Sequence, residues 1–186
     1  MEDSYFMQLI KKRRSIRNFL PKPVEREKII SCIEAARLAP SAENVQPWRF
    51  IVIDEPELRD KLCRAAFSGI YKFTKWANKA PVIVAVCAKL DLIANFIGKH
   101  LQGTQYYLLD IGICGEHLML RAVEQGLGGC WIGWFNAKKS AEALNLPKNW
   151  RPACLIALGY YEEPKKSQKG RKALSDICYF NSCENS

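Results

Sequence analysis

Apolar residues recur at helical spacing from the start of the chain: Tyr5, Phe6, Leu9 and Ile10 predict a short helix, with Asp3 or Ser4 available as its N-cap. Pro21 and Pro23 break the chain, and Glu25 to Ala39 reads as a second helix with Ile29, Ile30, Ile33 and Ala36 inward, stopped by Pro40. Trp48 to Ile53 has the β-branched character of a strand, and Pro56 to Phe67 the pattern of an amphipathic helix. Pro81 to Cys87 is an apolar run too short for a buried helix, so a central strand is expected. Gln102 to Gln125 predicts one long helix closed by Gly126 to Gly129. Cys130 to Phe135 follows as strand or loop, Ala137 to Leu144 as a short helix and Ala153 to Tyr160 as a strand.

The long helix carries Leu108, Leu109, Ile111, Ile113, Leu118, Met119, Leu120 and Val123, which are apolar on more than one face. Such a helix needs cover on two sides. A chain of 186 residues has enough material for one sheet and little more, so a second copy is the simplest cover and an obligate homodimer is expected. Strands and helices alternate, but no GxGxxG turn leads from a first strand into a helix. Gly126-Leu127-Gly128-Gly129 leaves a helix instead, which argues against a dinucleotide-binding Rossmann domain.

Composition narrows the classes. Apolar residues make up 48% and charged residues 25%, the balance of a folded domain rather than a disordered chain. The acidic start, MEDSY, lacks the basic region and apolar run of a signal peptide, and no apolar stretch reaches membrane-spanning length, so a cytoplasmic protein without membrane attachment is expected. Eight cysteines show neither CxxC nor metal-ligand spacing, which predicts mostly reduced, buried thiols and no metal site. The net charge of +9 invites a nucleic-acid reading. Five of the basic residues, however, fall in Lys11 to Arg17 and five more in Lys165 to Lys172, with no aromatics interleaved for base stacking. A small anionic ligand accounts for them, and nucleic acid is not expected.

Arg13, Arg14, Ser15 and Arg17 bring three guanidinium groups and a hydroxyl within five residues, the donor set for charge-assisted, partly bidentate bonds to a phosphate. Lys11 and Lys12 read instead as a solvated helix end. One helix-length later, Ala39-Pro40-Ser41-Ala42-Glu43-Asn44-Val45-Gln46-Pro47-Trp48 offers amide donors and acceptors in a proline-fixed backbone, suited to the edge of a planar polar ring. Gln46 and Trp48 are expected to tie this loop to the sheet. Neither His100 nor His117 has the company of a catalytic histidine, and Asp110 is expected to accept a local hydrogen bond. No catalytic side chain is assigned.

The strings RRSIRNF, APSAENVQPWRF, GLGGCWIGWF and KGRKAL, in that order and spacing, make the chain resemble the FMN-dependent nitroreductase family over nearly its whole length. The resemblance implies an α+β fold of three layers, α/β/α, with a mostly antiparallel central sheet. It also implies a single domain over residues 1–186, whose C-terminal extension, from about residue 162, crosses to the partner of a homodimer. By the same resemblance Arg13, Arg14, Ser15 and Arg17 meet the FMN phosphate and ribityl chain, with Lys169 and Arg171 closing from the tail. Pro40, Ser41, Ala42 and Asn44 approach the flavin from the other subunit, and Trp131, Ile132 and Gly133 lie against the ring. Glycine at 133 stands where larger relatives often carry an acidic residue.

The implied activity is hydride transfer from NADH or NADPH through bound FMN to a nitroaromatic, quinone or enone in a ping-pong cycle. The lack of acid–base machinery suits chemistry that the cofactor carries. Alternatives on the same fold are reductive dehalogenation, flavin fragmentation or dehydrogenation, with Phe67 to Asn78 and Ile93 to Gln105 shaping the substrate cavity. A non-catalytic flavin-binding protein is the remaining alternative.

Overall fold

The chain is described from a computed structural model, covering residues 3–90, 104–163 and 170–182. Lys169, Phe96, His100 and Cys183, and most of the 93–105 segment, lie outside the described residues.

β2 (Val82–Lys89) organises the molecule: Val82 to Ala88 are all buried, and successive side chains point to opposite faces. Val82, Val84 and Val86 meet α2 (Arg26–Arg37) and α4 (Tyr106–Glu124) in one core. Ile83, Ala85 and Cys87 meet α3 (Pro56–Ala66) and the 3₁₀ segment Gly69–Lys79 in the other, where Phe135 also packs. The result is the expected three-layer α+β fold. Among the described residues the sheet order is β1 (Trp48–Ile53), β2, β4 (Trp150–Gly159), β3 (Gly128–Ile132), with every neighbouring pair antiparallel. A short helix, α5 (Ala137–Ala143), joins β3 to β4.

β4 begins three residues before the Ala153 expected from sequence, because a bulge absorbs its proline. Cys87 faces Pro152 while Val86 faces Cys154, leaving Ala153 as the extra residue. Pro152 also lies before the stretch Leu155 to Gly159 that pairs with β3, so no β3 partner is lost there.

Ser4 caps α1 (Tyr5–Lys12), its Oγ accepting from the Met7 N–H at 3.4 Å. This helix buries none of its residues in the protomer, although Tyr5, Phe6 and Ile10 share its apolar side. In α2 the inward line is Ile29, Cys32 and Ala36, while Ile30, expected inward, is 60% exposed because it lies a further 100° round the helix from Ile29. α4 starts at Tyr106, after Gln105 in a non-helical conformation. It ends where Gly126 takes the left-handed conformation (φ +75°) and Leu127 N–H reaches back to the Ala122 carbonyl at 2.8 Å. Cys32, Cys63, Cys87, Cys114, Cys130 and Cys154 are free and buried, as expected, and burial pushes the thiols of Cys63, Cys87 and Cys114 up to about 12. Among the described residues no helix is long and apolar enough to cross a membrane.

Candidate functional site

The basic cluster is an added edge to the sheet. Ser15 bridges Gly129 in parallel fashion, with Ile16 N–H donating to the Gly129 carbonyl at 2.9 Å, and Leu20 N–H donates to Tyr160 O at 2.8 Å. Extended backbone at the bridge alternates the side chains, Ile16 buried and Ser15 and Arg17 facing out, and past the bridge Phe19 is buried as well. Gly128 is what lets this edge close. A Cβ there would stand 2.7 Å from the side chain of Ile16 and 2.6 Å from that of Tyr161.

Arg13 crosses to α4, its Nε lying 3.4 Å from Glu116 Oε1, with the arginine side chain only 21% exposed. Burial raises the Glu116 carboxyl against the lowering effect of Arg13. Arg17 lies over the Trp76 ring, 5.6 Å from its centre. The charge of Arg14 acts on the half-buried Tyr161 phenol. Behind this row sits Cys130, its thiol raised by burial and lowered by Arg17, by a hydrogen bond with Ser15 and by Arg13. Three arginines and one hydroxyl therefore share this short stretch, with Glu116 paired to Arg13.

β3 carries the edge onward to Trp131, Ile132 and Gly133. Ile132 is buried in the sheet, whereas Trp131 remains 36% exposed and Gly133 has nothing within 4 Å of where a Cβ would stand. The Trp131 indole lies on α4 over Gly115, where a Cβ would come 1.9 Å from its Cζ3. Trp134 donates from Nε1 to Ile70 O at 3.2 Å and packs on Tyr71 at 5.3 Å between ring centres. Trp134 and Tyr71 thus pack together on the 3₁₀ segment that also carries Trp76 under Arg17, while Trp131 stands on α4.

The Pro40 to Asn44 segment is anchored elsewhere. Ala42 N–H donates to Asp110 Oδ1 of α4 at 3.0 Å, and Asp110, 5% exposed, has its carboxyl raised by burial. Glu43, Asn44 and Gln46 all adopt positive φ (51°, 55° and 48°), a conformation ordinary side chains resist. The loop holds it by Gln46 N–H donating to Ser41 Oγ at 2.9 Å and Gln46 Nε2 donating to Asn44 Oδ1 at 3.1 Å. Gln46 and the buried Trp48 thus tie the loop to β1, and Pro40, Glu43 and Asn44 face out. The loop's hydrogen bonds given above run to α4 and within the loop.

Arg171 lies in a tail, residues 170–182, that is exposed throughout, with Leu174, Ile177, Tyr179 and Phe180 in solvent. His117 lies 3.3 Å from the Ala35 carbonyl through Nδ1, a structural contact. Glu116 and Gly115 were not picked out from sequence. Gly115 carried a legible signal, since a glycine inside a long helix costs stability without a packing reason.

Fold and site define a class: a three-layer α+β scaffold with a basic row on the β3 edge of its sheet. The model of the nitroreductase family matches residues 10–160, and the chain belongs to that family. It is 34% identical to a solved nitroreductase family protein of Clostridium difficile 630, covering 97% of this chain and 99% of that one with a TM-score of 0.79. A solved FMN-dependent nitroreductase of Clostridium difficile R20291 is 29% identical over 95% of this chain and 99% of its own, with a TM-score of 0.76. A Bacillus subtilis protein provisionally named an NAD(P)H nitroreductase is 31% identical over 182 residues, 83% of this chain and 87% of that protein.

Proposed function

We propose that this chain binds FMN on the β3 edge and carries a hydride from NADH or NADPH to an electron-poor acceptor, a nitroaromatic, quinone or enone. Donor and acceptor take turns in one slot. The observation that carries the reading is the convergence of Arg13, Arg14, Arg17 and Ser15 on one strand edge that runs into exposed Trp131 and open Gly133. A phosphate needs that donor set, and a flat ring needs a wall and an unobstructed backbone beside it.

In this reading the Arg13–Arg17 segment, with Arg171 and Lys169 from the tail, holds the phosphate end. Trp131, Ile132 and Gly133 hold the ring, and Pro40, Ser41, Ala42 and Asn44 reach it from a second copy. FMN held there would supply the two-electron chemistry that links the reduced nicotinamide to the acceptor. The protein's part is position and field: Glu116 aims Arg13, the strained loop fixes Asn44, and Trp131 shields one side of the slot.

The second copy is supported by the apolar residues that the protomer leaves bare. Tyr5, Phe6 and Ile10 on α1 and Leu108, Leu109 and Ile113 on α4 are all at least 39% exposed, and the 170–182 tail carries four more large apolar side chains. A homodimer whose tails, from about residue 162, cross between copies covers both. The test is the visible spectrum of freshly purified protein, release and identification of any chromophore, then NAD(P)H oxidation with menadione and a nitroaromatic. Released FMN with acceptor-dependent oxidation is expected; a colourless protein that takes up no FMN would overturn the reading.

A further inference from the structure

A second basic site lies at the far edge of the sheet, independent of the cofactor reading. Between the Pro21–Val24 connection, the start of α3 and the entry to β2 there is an open cleft of about 440 Å³, within the roughly 300–1,000 Å³ of small-molecule sites. Its walls are stiff and apolar: Pro21, Pro23, Pro56 and Pro81 fix the backbone, and Val24 and Val82 complete the lining. Its polar groups are Lys22, Arg59, Lys79 and Asp54. The Asp54 carboxylate already accepts from Arg26 Nη2 at 3.0 Å, so the cleft is left with an excess of positive charge.

Arg59 carries the argument. Its Nη1 donates to the Pro81 carbonyl at 3.3 Å, and its Nη2 lies 3.7 Å from the exposed carboxylate of the adjacent Asp60. Its Nε is buried with no hydrogen-bond partner, the one such side-chain atom found among the described residues. Buried donors are ordinarily satisfied, so Arg59, one-fifth exposed in the wall of the cleft, keeps a donor unspent that a small rotation of its side chain would turn toward an oxyanion. The Nε and Nη2 edge of a guanidinium is the edge that grips an oxyanion in bidentate fashion.

Lys22 rests its ammonium 4.0 Å from the Tyr160 ring centre, and among the described residues no ion pair holds it or Lys79. The first turn of α3 adds uncapped N–H groups, since Glu55 makes no side-chain cap bond. Val82 on β2 stands two strands from β3, roughly 10 Å at ~4.8 Å per strand, so this cleft is not part of the Arg13–Arg17 edge.

We propose that the cleft binds a compact organic oxyanion, its phosphate or carboxylate group on Arg59 with Lys22 and Lys79, its apolar part against the prolines. Phenyl phosphate and benzoate are the probes, with phenol as neutral control, titrated calorimetrically into the full chain as purified. Saturable binding of one or both anions with a Kd at or below about 1 mM is expected, and none for phenol. Which anion binds distinguishes phosphate from carboxylate recognition.

Arg59→Gln should weaken binding about tenfold or more, and Lys79→Gln, at an exposed position that folding does not need, should weaken it too. Arg13→Ala should leave it unchanged. Absence of saturable binding, equal binding by Lys79→Gln and wild type, or loss of binding in Arg13→Ala would each overturn the proposal, the last by placing the probe on the other basic edge.

Discussion

The Arg13–Arg17 edge and the Pro40–Asn44 loop stand out together in the sequence, yet the chain finishes them differently. The first is locked to Gly129 by a strand bridge, backed by Cys130 and aimed by Glu116 on the same protomer. The second is pinned from behind, by Asp110 and its own strained turn, and presents Asn44 outward. The first row is anchored within the protomer, while the second, on the reading proposed above, would serve a site shared with a second copy. A second copy, whose contact would run along the bare face of α4, is the occupant that would bring two unlike halves together twice over.

The largest expected effect comes from breaking that contact. Leu109 is 55% exposed on α4, one residue before the Asp110 that anchors the loop. Leu109→Asp would bury an unpaired carboxylate between copies at a cost on the order of several kcal/mol. Sedimentation velocity should show monomers, and flavin content should fall with the dimer although every residue of the Arg13–Arg17 edge is intact. A dimer that survives the charge would mean the bare face of α4 is not the contact.

Removing one side of the comparison comes next. Arg13→Ala should weaken FMN by about 1.5–3 kcal/mol, the worth of a charge-assisted bond, and leave the sedimentation of the dimer unchanged. Unchanged FMN affinity in a fluorescence-quenching titration would take Arg13 out of the site.

Sequence made one part of this legible and hid another for a physical reason. The order of elements was readable because each announces itself locally: an apolar run at β2, helical spacing in α2 and α4, proline and glycine at the breaks. The arginine row was readable because its chemistry sits within five consecutive residues. Glu116 was not, because nothing local relates a helix residue to an arginine about a hundred positions earlier. Nor was the exposure of Ile30, since a 12-residue helix with apolar residues at 29, 30 and 33 does not say how wide its buried stripe is. The bulge at Ala153 escaped for a similar reason: proline forbids a ladder bond only where a neighbour needs one.

Gly115→Ala sharpens the comparison from the side of the first row. Its new Cβ would meet Trp131 Cζ3 at 1.9 Å, so the indole must leave α4. Overpacking costs about 1–3 kcal/mol, offset by about 1 kcal/mol of helix propensity, so urea denaturation should show a net loss of up to about 2 kcal/mol. Tryptophan emission should shift with the displaced ring. Unchanged emission together with unchanged stability would mean that Trp131 is not held where the ring wall requires it.

The smallest effect tests the loop. Burial raises the Asp110 carboxyl above its ordinary value, so folding favours the protonated form. That contribution is present in full below the ordinary aspartate pKa, near about 3.9, and is lost as pH rises through the raised folded value. At neutral pH the charged group is therefore a cost, one the molecule tolerates because Oδ1 holds the Ala42 N–H. Asn at this position keeps an oxygen for that bond and carries no charge. The melting temperature of Asp110→Asn minus that of wild type should thus become more positive between about pH 3.5 and pH 7, other carboxylates cancelling in the difference. A difference flat in pH would show that Asp110 is ionised at no cost, which its position between loop and helix could permit only if a second copy supplies it with a further donor.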